Sequence, residues 1–278
     1  MLDVLHSERF LDQAPAAVYY TLLDEGVRFC SVRTMYRILD SQGEVRERRN
    51  QLTHPTYKKP ELLATGPNQV WSWDITKLLG PVKWTYYYLY VILDIYSRYV
   101  VGWMLADRES ADLAKLLIAE SCDKQGIQAG QLTIHSDRGP AMQAKGLAQL
   151  LADMGITKTN SRPHVSNDNP FSESQFKTLK YRPQFPGRFG SQAEGRDFCR
   201  AFVDWYNREH YHSAMAWLTP ETIHYGRAGE VLASRQALLQ EAYAANPGRF
   251  IGGPPRIPQL PEAVWINPPA TAPTTEQP

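Results

Sequence analysis

Three β-rich runs close together in sequence set the strongest limit on what this chain can fold into. Val70–Leu79 and Lys83–Asp94 are separated by the turn dipeptide Gly80-Pro81, and Tyr99–Leu105 follows after a short polar break. Helix and strand signals then alternate. Ser110 predicts a cap for a helix running to about Gln125, with Leu113, Leu116, Leu117 and Ile118 apolar. Leu132–Ser136 reads as a fourth strand, Ala144–Met154 as a helix and Ile156–Thr159 as a short strand. Pro170 suits the first turn of a helix reaching about Tyr181, and Arg196–Asn207 carries Phe198, Phe202 and Trp205 at i, i+4 and i+7. This order predicts an α/β fold: a mixed sheet of three antiparallel strands followed by strand-helix alternation, flanked by helices. With 278 residues the chain has room for one medium domain plus appendages.

The flanking regions differ in character. Residues 1–45 read as helical: Ala16–Glu25 stops at Gly26, and Ser31 predicts a cap for Val32–Leu39. Val32, Met35, Tyr36 and Leu39 make one apolar face, with Arg33 and Arg37 projecting elsewhere. A helix-turn-helix with DNA-facing arginines and a plain helical hairpin both fit this pattern. Residues 46–65 read as a basic linker that includes Arg46, Arg48, Arg49, Lys58 and Lys59. The stretch 27–60 holds 8 Lys+Arg against 3 Asp+Glu, although the whole chain is only +1. Such a segment suits either a phosphate backbone or plain solvation. Residues 66–227 form the expected core, and 228–278 a C-terminal helix and a tail with 8 prolines in its last 25 residues, extended or disordered, with Trp265 as a candidate anchor. Cys30, Cys122 and Cys199 are too sparse for a disulfide framework or a zinc site. No signal peptide and no membrane span is legible, which points to a cytoplasmic protein with no membrane partner.

Three carboxylates stand where strands and helices present functional groups. In Trp71-Ser72-Trp73-Asp74-Ile75-Thr76, alternation puts Ser72, Asp74 and Thr76 on one face. A carboxylate in so apolar a run needs compensation from a cation, a helix cap or a metal. Asp137 ends the fourth strand in His135-Ser136-Asp137-Arg138-Gly139, and Glu173 falls in the first turn of the Pro170 helix, with Lys177 and Lys180 at i+4 and i+7. Metal-assisted phosphoryl transfer unites such a set, because hard divalent ions take oxygen ligands and two of them can clamp an in-line displacement. Each acid alone also has an ordinary structural reading. Asp94 and Asp168 compete, the first as a cap for the Tyr96-Ser97-Arg98 turn and the second as a shaper of the turn before Pro170.

Asp74 precedes Asp137 by 63 positions, and 35 residues lie between Asp137 and Glu173. This spacing resembles the D, D(35)E signature of retroviral integrases and related bacterial transposases. Lys180 matches the basic residue such transposases carry seven positions after the glutamate. The words Ser166-Asn167-Asp168-Asn169-Pro170, Trp205-Tyr206-Asn207, His212-Ser213-Ala214 and Leu218-Thr219-Pro220 are similar to those of the second-frame (OrfB-type) transposases of bacterial insertion sequences. The resemblance runs strongly over about residues 65–225. It implies a ribonuclease H-like core that cleaves an element's end and joins the new 3′-OH to target DNA. It further implies two Mg²⁺ (or Mn²⁺) ions held by Asp74, Asp137 and Glu173, and Lys180 on the end DNA with Lys177 beside it. The implied partners are element ends and target DNA, a second copy on DNA, and a first-frame helix-turn-helix protein or fusion. The zinc module of retroviral integrases is missing, since His6, Cys30 and His54 have no suitable spacing.

His135 is a candidate for a group behind the metal ligands and His164 for one that touches the substrate or metal-bound water; both also read as ordinary satisfied histidines. His210 and His212 are expected to fix the end of the Tyr206-Asn207 helix. Tyr86, Tyr87, Tyr88 and Tyr90 are expected to pack the sheet. Two other functions compete with a transposase: a hydrolytic nuclease on the same fold, and a silent DNA-binding regulator. The complete carboxylate set with Lys180 argues against the regulator.

Overall fold

The computed structural model describes residues 1–278 except Asp12, 46–58, His164, 166–167 and 270–278. Arg46, Arg48, Arg49, Lys58 and His164 therefore lie outside the described residues. The chain divides into two compact units, Met1–Thr56 and Tyr57–Pro278.

In the first unit, α1 (Leu2–Leu5), α2 (Pro15–Asp24) and α3 (Val32–Ser41) enclose Leu5, Phe10, Val18, Leu22 and Met35. Ser31 caps α3 by accepting the Thr34 N–H at 3.3 Å, as its sequence position predicts. Arg33 and Arg37 are exposed. Tyr36 is 44% exposed rather than buried, because helices this short cover only a narrow stripe centred on Met35.

The second unit begins with β1 (Leu62–Ala64), β2 (Val70–Leu79), β3 (Tyr86–Asp94) and β4 (Val100–Ala106). It continues with α4 (Ala111–Gln125), β5 (Thr133–Ser136), α5 (Pro140–Gln143), α6 (Lys145–Asp153) and β6 (Thr157–Asn160). Then come α7 (Pro170–Lys180), α8 (Gln192–Arg208), α9 (Pro220–His224), α10 (Ala228–Ala245) and β7 (Val264–Ile266). The main sheet has the order β4-β3-β2-β5-β6. Strands β2, β3 and β4 pair antiparallel, while β5 joins β2, and β6 joins β5, in parallel. This is the ribonuclease H-like mixed sheet expected from the sequence.

Alternation along the strands makes two apolar layers. Trp71, Trp73, Tyr90 and Ile92 pack against Leu117 and Ile118 of α4 and Leu147 and Leu151 of α6. Leu78, Leu89, Val91 and Leu93 face Phe176 and Leu179 of α7 and Phe202, Val203 and Tyr206 of α8. Tyr90 is fully buried, with its hydroxyl accepting the Ser110 N–H at 2.7 Å, so it is a packing residue. Cys122 and Cys199 are buried free thiols and Cys30 is a partly buried one.

Several boundaries differ from the sequence expectation for local reasons. Strand β3 starts at Tyr86 because Lys83–Thr85 belong to the turn: Trp84 has φ +71°, and Arg188 Nη1 donates to the carbonyls of Gly80 and Val82. Pro140 opens the short α5, which sequence reasoning did not single out; a missing N–H costs nothing in a first turn. Helix α8 starts at Gln192, four residues early, capped by Ser191. Gly195 stands in the first turn of this helix. A Cβ at that position would lie 2.8 Å from Leu105 Cδ2, so the glycine lets α8 approach β4. The last linker residues, Leu62–Ala64, pair antiparallel with β7. Among the described residues no helix is long and apolar enough to cross a membrane.

Gly102 makes a comparable close approach between β4 and α4: a Cβ there would collide with the Ser121 hydroxyl and crowd Leu117. Gly102→Val should cost about 1–3 kcal/mol through overpacking. An unchanged urea midpoint would show that the two layers can separate freely.

Candidate active site

The site is built where β2 and β5 run side by side. Trp73 is the register partner of Ser136, so Asp74 and Asp137 are the next residues on two parallel neighbours. Asp74 is half-buried, and one of its carboxylate oxygens accepts the Ile75 N–H at 2.7 Å. Asp137 sits just past β5 and accepts the Ser161 hydroxyl at 2.5 Å.

Glu173 comes from α7, which lies on the β2 face bearing Ser72, Asp74 and Thr76. Pro170 starts this helix, and the Glu173 N–H reaches the Asn169 carbonyl at 3.4 Å. Ser72 is the rivet between helix and strand: its buried hydroxyl donates to Asn169 Oδ1 and meets the Ser172 hydroxyl. Asn169 Nδ2 donates to the Trp73 carbonyl at 3.5 Å. At the far end, Lys180 Nζ donates to Thr76 Oγ1 at 2.6 Å, while Phe176 and Leu179 join Leu78 in the core. Two apolar anchors and two polar ones thus fix α7 along the strand that carries Asp74.

The electrostatics follow from this packing. Burial pushes the Asp74 carboxyl up to about 7, and the charges of Asp137 and Glu173 add to the rise. The Ile75 N–H and the Lys180 ammonium oppose it without prevailing. Burial lowers the Lys180 pKa, and Asp74 works against that. None of Asp74, Asp137 and Glu173 forms an ion pair among the described residues. Lys177, an exposed residue, does not pair with Glu173. Beside them opens a groove of about 620 Å³ lined by Thr76, Glu173, Phe176, Lys177, Lys180 and Tyr181.

These acids are therefore close enough to feel one another. They do not close into a ready cage: among the described residues no three His, Cys, Asp or Glu side chains stand together as a metal-holding group. The donor chemistry still suits a hard divalent cation, because three carboxylates bear on one another with no positive side chain ion-paired to them among the described residues.

The other candidates fall into supporting positions. His135 is fully buried; its Nε2 donates to the Asp168 carbonyl at 2.8 Å, which leaves Nδ1 to accept from Thr159 Oγ1 at 2.9 Å. Burial lowers its pKa, in keeping with this neutral form. Asp94 caps its turn as expected, accepting the N–H groups of Asn68 and Ser97 and the Ser97 hydroxyl. Asp168 accepts from Arg162 and from Asn267, far along the chain. Burial alone would raise its carboxyl, but these hydrogen bonds outweigh burial and hold it at about 2. The His210 N–H caps the Trp205 carbonyl at 3.0 Å, as expected of the helix end. Ser72, Ser161, Ser172 and Asn267 were not singled out by sequence reasoning. For Ser72 a signal was present, since it shares the strand face of Asp74.

Comparison with known proteins places this architecture. Sequence models described as integrase core domain match residues 64–166 and 154–220, together more than half of the chain. The chain is 30% identical over 171 residues to "Transposase for insertion sequence element IS904" of Lactococcus lactis subsp. lactis (strain IL1403), covering 61% of this chain and 66% of that protein. It is 30% identical over 168 residues to "Transposase InsF for insertion sequence IS3A" of Escherichia coli (strain K12), covering 58% and 55%. The match thus spans between about half and two thirds of these relatives' length. A crystal structure of the catalytic core domain of BIV integrase aligns with 21% identity and a TM-score of 0.44, covering 59% of this chain and 97% of that one. The two sequence models overlap at residues 154–166, and together they match the integrase core domain across the sheet and the helices α7 and α8.

Proposed function

We propose that this protein is a transposase that cleaves the ends of an insertion sequence and joins them to target DNA, with Asp74, Asp137 and Glu173 as its metal-holding carboxylates. The observation that carries the reading is the placement of Asp74 and Asp137 side by side, on β2 and at the end of its parallel neighbour β5, with Glu173 on the helix docked along β2 through Ser72 and Thr76. Sequence similarity to insertion-sequence transposases supports the same reading.

Asp74 and Asp137 would hold Mg²⁺ or Mn²⁺ between the ends of two parallel strands, and Glu173 would complete the oxygen set from α7. When bound, such ions supply Lewis acidity toward phosphoryl oxygens and lower the pKa of water. Ser161 orients the Asp137 carboxylate by donating to it. Lys180, moored to Thr76, keeps donors free for a DNA phosphate at the groove. Residues 66–227 would be the catalytic core. Exposed Arg33 and Arg37, with the basic 46–65 segment, would add sequence-independent DNA affinity. The working state would be a multimer on DNA in the bacterial cytoplasm, with a first-frame helix-turn-helix protein or fusion supplying recognition of the ends.

The test is a joining assay. Labelled duplexes bearing the terminal repeats that flank the gene are incubated with protein, Mg²⁺ and a target plasmid. A product in which the end's 3′-OH is covalently joined to plasmid is expected. Cutting without joining would make the protein a hydrolytic nuclease, and DNA binding with neither step would make it a regulator.

Lys180→Ala should weaken end binding and slow cleavage. It should also flatten the slope of log K against log salt by roughly 0.9, the share of a single neutralised phosphate. Unchanged binding and slope near physiological salt would leave Lys180 only a helix-docking residue.

A further inference from the structure

We infer that Asn267 and Asp168 are positioning residues for the carboxylate site, so that the C-terminal strand β7 straps the supports of Asp137 and Glu173 in place. This rests on the reading of those acids as the working site.

The strap has an anchor, a link and a target. The anchor is the β1–β7 pair, whose Ala64, Val264 and Ile266 are buried with Val70 at the start of β2 and with Ile95. The link is Asn267, at φ +56°, a left-handed conformation that Asn adopts more readily than most residues. Its Nδ2 donates to Asp168 Oδ1 at 2.8 Å. Asp168 is fully buried, and Arg162 supplies three further donors: its N–H and Nε to Oδ2 at 2.8 and 3.0 Å, and Nη2 to Oδ1 at 3.0 Å.

The target is reached on both sides of that carboxylate. Arg162 follows Ser161, whose hydroxyl holds Asp137. The Asp168 carbonyl receives His135, two residues before Asp137 on β5. Asn169 follows Asp168, docks on Ser72 and Trp73 of β2, and accepts the Glu173 N–H. One buried carboxylate therefore ties the tail to the support of Asp137 and to the first turn of the Glu173 helix. A tail packed only for general stability would need no such link, since β7 is already held by its strand pairing and buried side chains.

The experiment is amide hydrogen exchange on the full chain without metal or DNA, comparing wild type, Asn267→Ala and Asn267→Asp. Lys59→Ala is the control, because it severs a different tail bond, Lys59 Nζ to the Pro268 carbonyl at 3.2 Å. Exchange at the Arg162 and Glu173 amides should speed up about tenfold in Asn267→Asp, which sets two carboxylates face to face, and less in Asn267→Ala. Strands β3 and β4 should exchange as in wild type, and Lys59→Ala should leave residues 161–173 unchanged. In cleavage assays, the Mg²⁺ concentration for half-maximal rate should rise severalfold in Asn267→Asp with end binding unchanged. Wild-type exchange over 161–173 in both Asn267 variants would overturn the proposal, as would acceleration spread equally over β3 and β4. The exchange measurement needs no cleavage, so it decides the strap even if the protein proves not to join DNA.

Discussion

Asp137→Asn is expected to lower strand cleavage and joining by at least about 10³-fold in Mg²⁺, with fold and DNA binding nearly unchanged. An amide has almost the shape of the carboxylate, and its oxygen can still accept the Ser161 hydroxyl that Asp137 accepts at 2.5 Å. It is a poor ligand for a hard cation, and metal stabilisation of transition-state charge is worth several kcal/mol. At about 1.4 kcal/mol per decade, a loss of some 4 kcal/mol gives the stated factor. Removing one of several neighbouring negative charges should also relieve Asp74, whose carboxyl Asp137 helps to raise. The variant's metal-free stability should therefore equal or exceed that of wild type at pH 8. Wild-type turnover in Mg²⁺ would remove Asp137 from the metal site. A fall in melting temperature matching the fall in rate would make it a structural residue instead.

The sheet was legible because its causes are local. The turn at Gly80-Pro81 and the β-rich runs place β2 to within its exact ends, and the caps at Ser31, Ser110 and Pro170 mark three helix starts. The carboxylates were legible because alternation and helix spacing fix which face each occupies. What escaped depends on contacts distant in sequence. Helix α8 reads as starting at Arg196, because nothing local shows that Gly195 lets it close on Leu105. Leu62–Ala64 reads as linker because its partner, Val264–Ile266, lies some 200 residues on, within a proline-rich tail. Lys180 reads only as a DNA contact because no local pattern reveals that Thr76 receives it. Asn267 has no periodic or motif signal; only the buried Asp168 gives it a role. Residues whose face is set by their own strand or helix can be read locally. Residues that hold those in place are read only from the fold.

The metal-free protein should also show Asp74 in its pH dependence. The folded carboxyl stands at about 7, above the ordinary 3.8 expected in the unfolded chain, because burial disfavours its charge and Asp137 and Glu173 repel it. The folded state therefore holds this proton more tightly than the unfolded state does. Its contribution to stability is fully present below pH 4 and is lost as pH rises through 7, with a slope of at most about 1.4 kcal/mol per pH unit. Asp74→Asn carries no such proton, so it should resist urea better than wild type at pH 8, lose most of that advantage by about pH 5 and the rest by about pH 4. A bound divalent cation would take the place of the proton. Titrating Mg²⁺ into wild type at pH 6.5 should then release up to about 0.8 proton per chain, and into Asp74→Asn almost none. Calorimetry in two buffers of different ionisation enthalpy reads that number directly. Identical urea profiles for the two proteins from pH 5 to 8 would mean that Asp74 is ionised throughout. Mg²⁺ binding without proton release would mean that the cation sits away from its carboxylate.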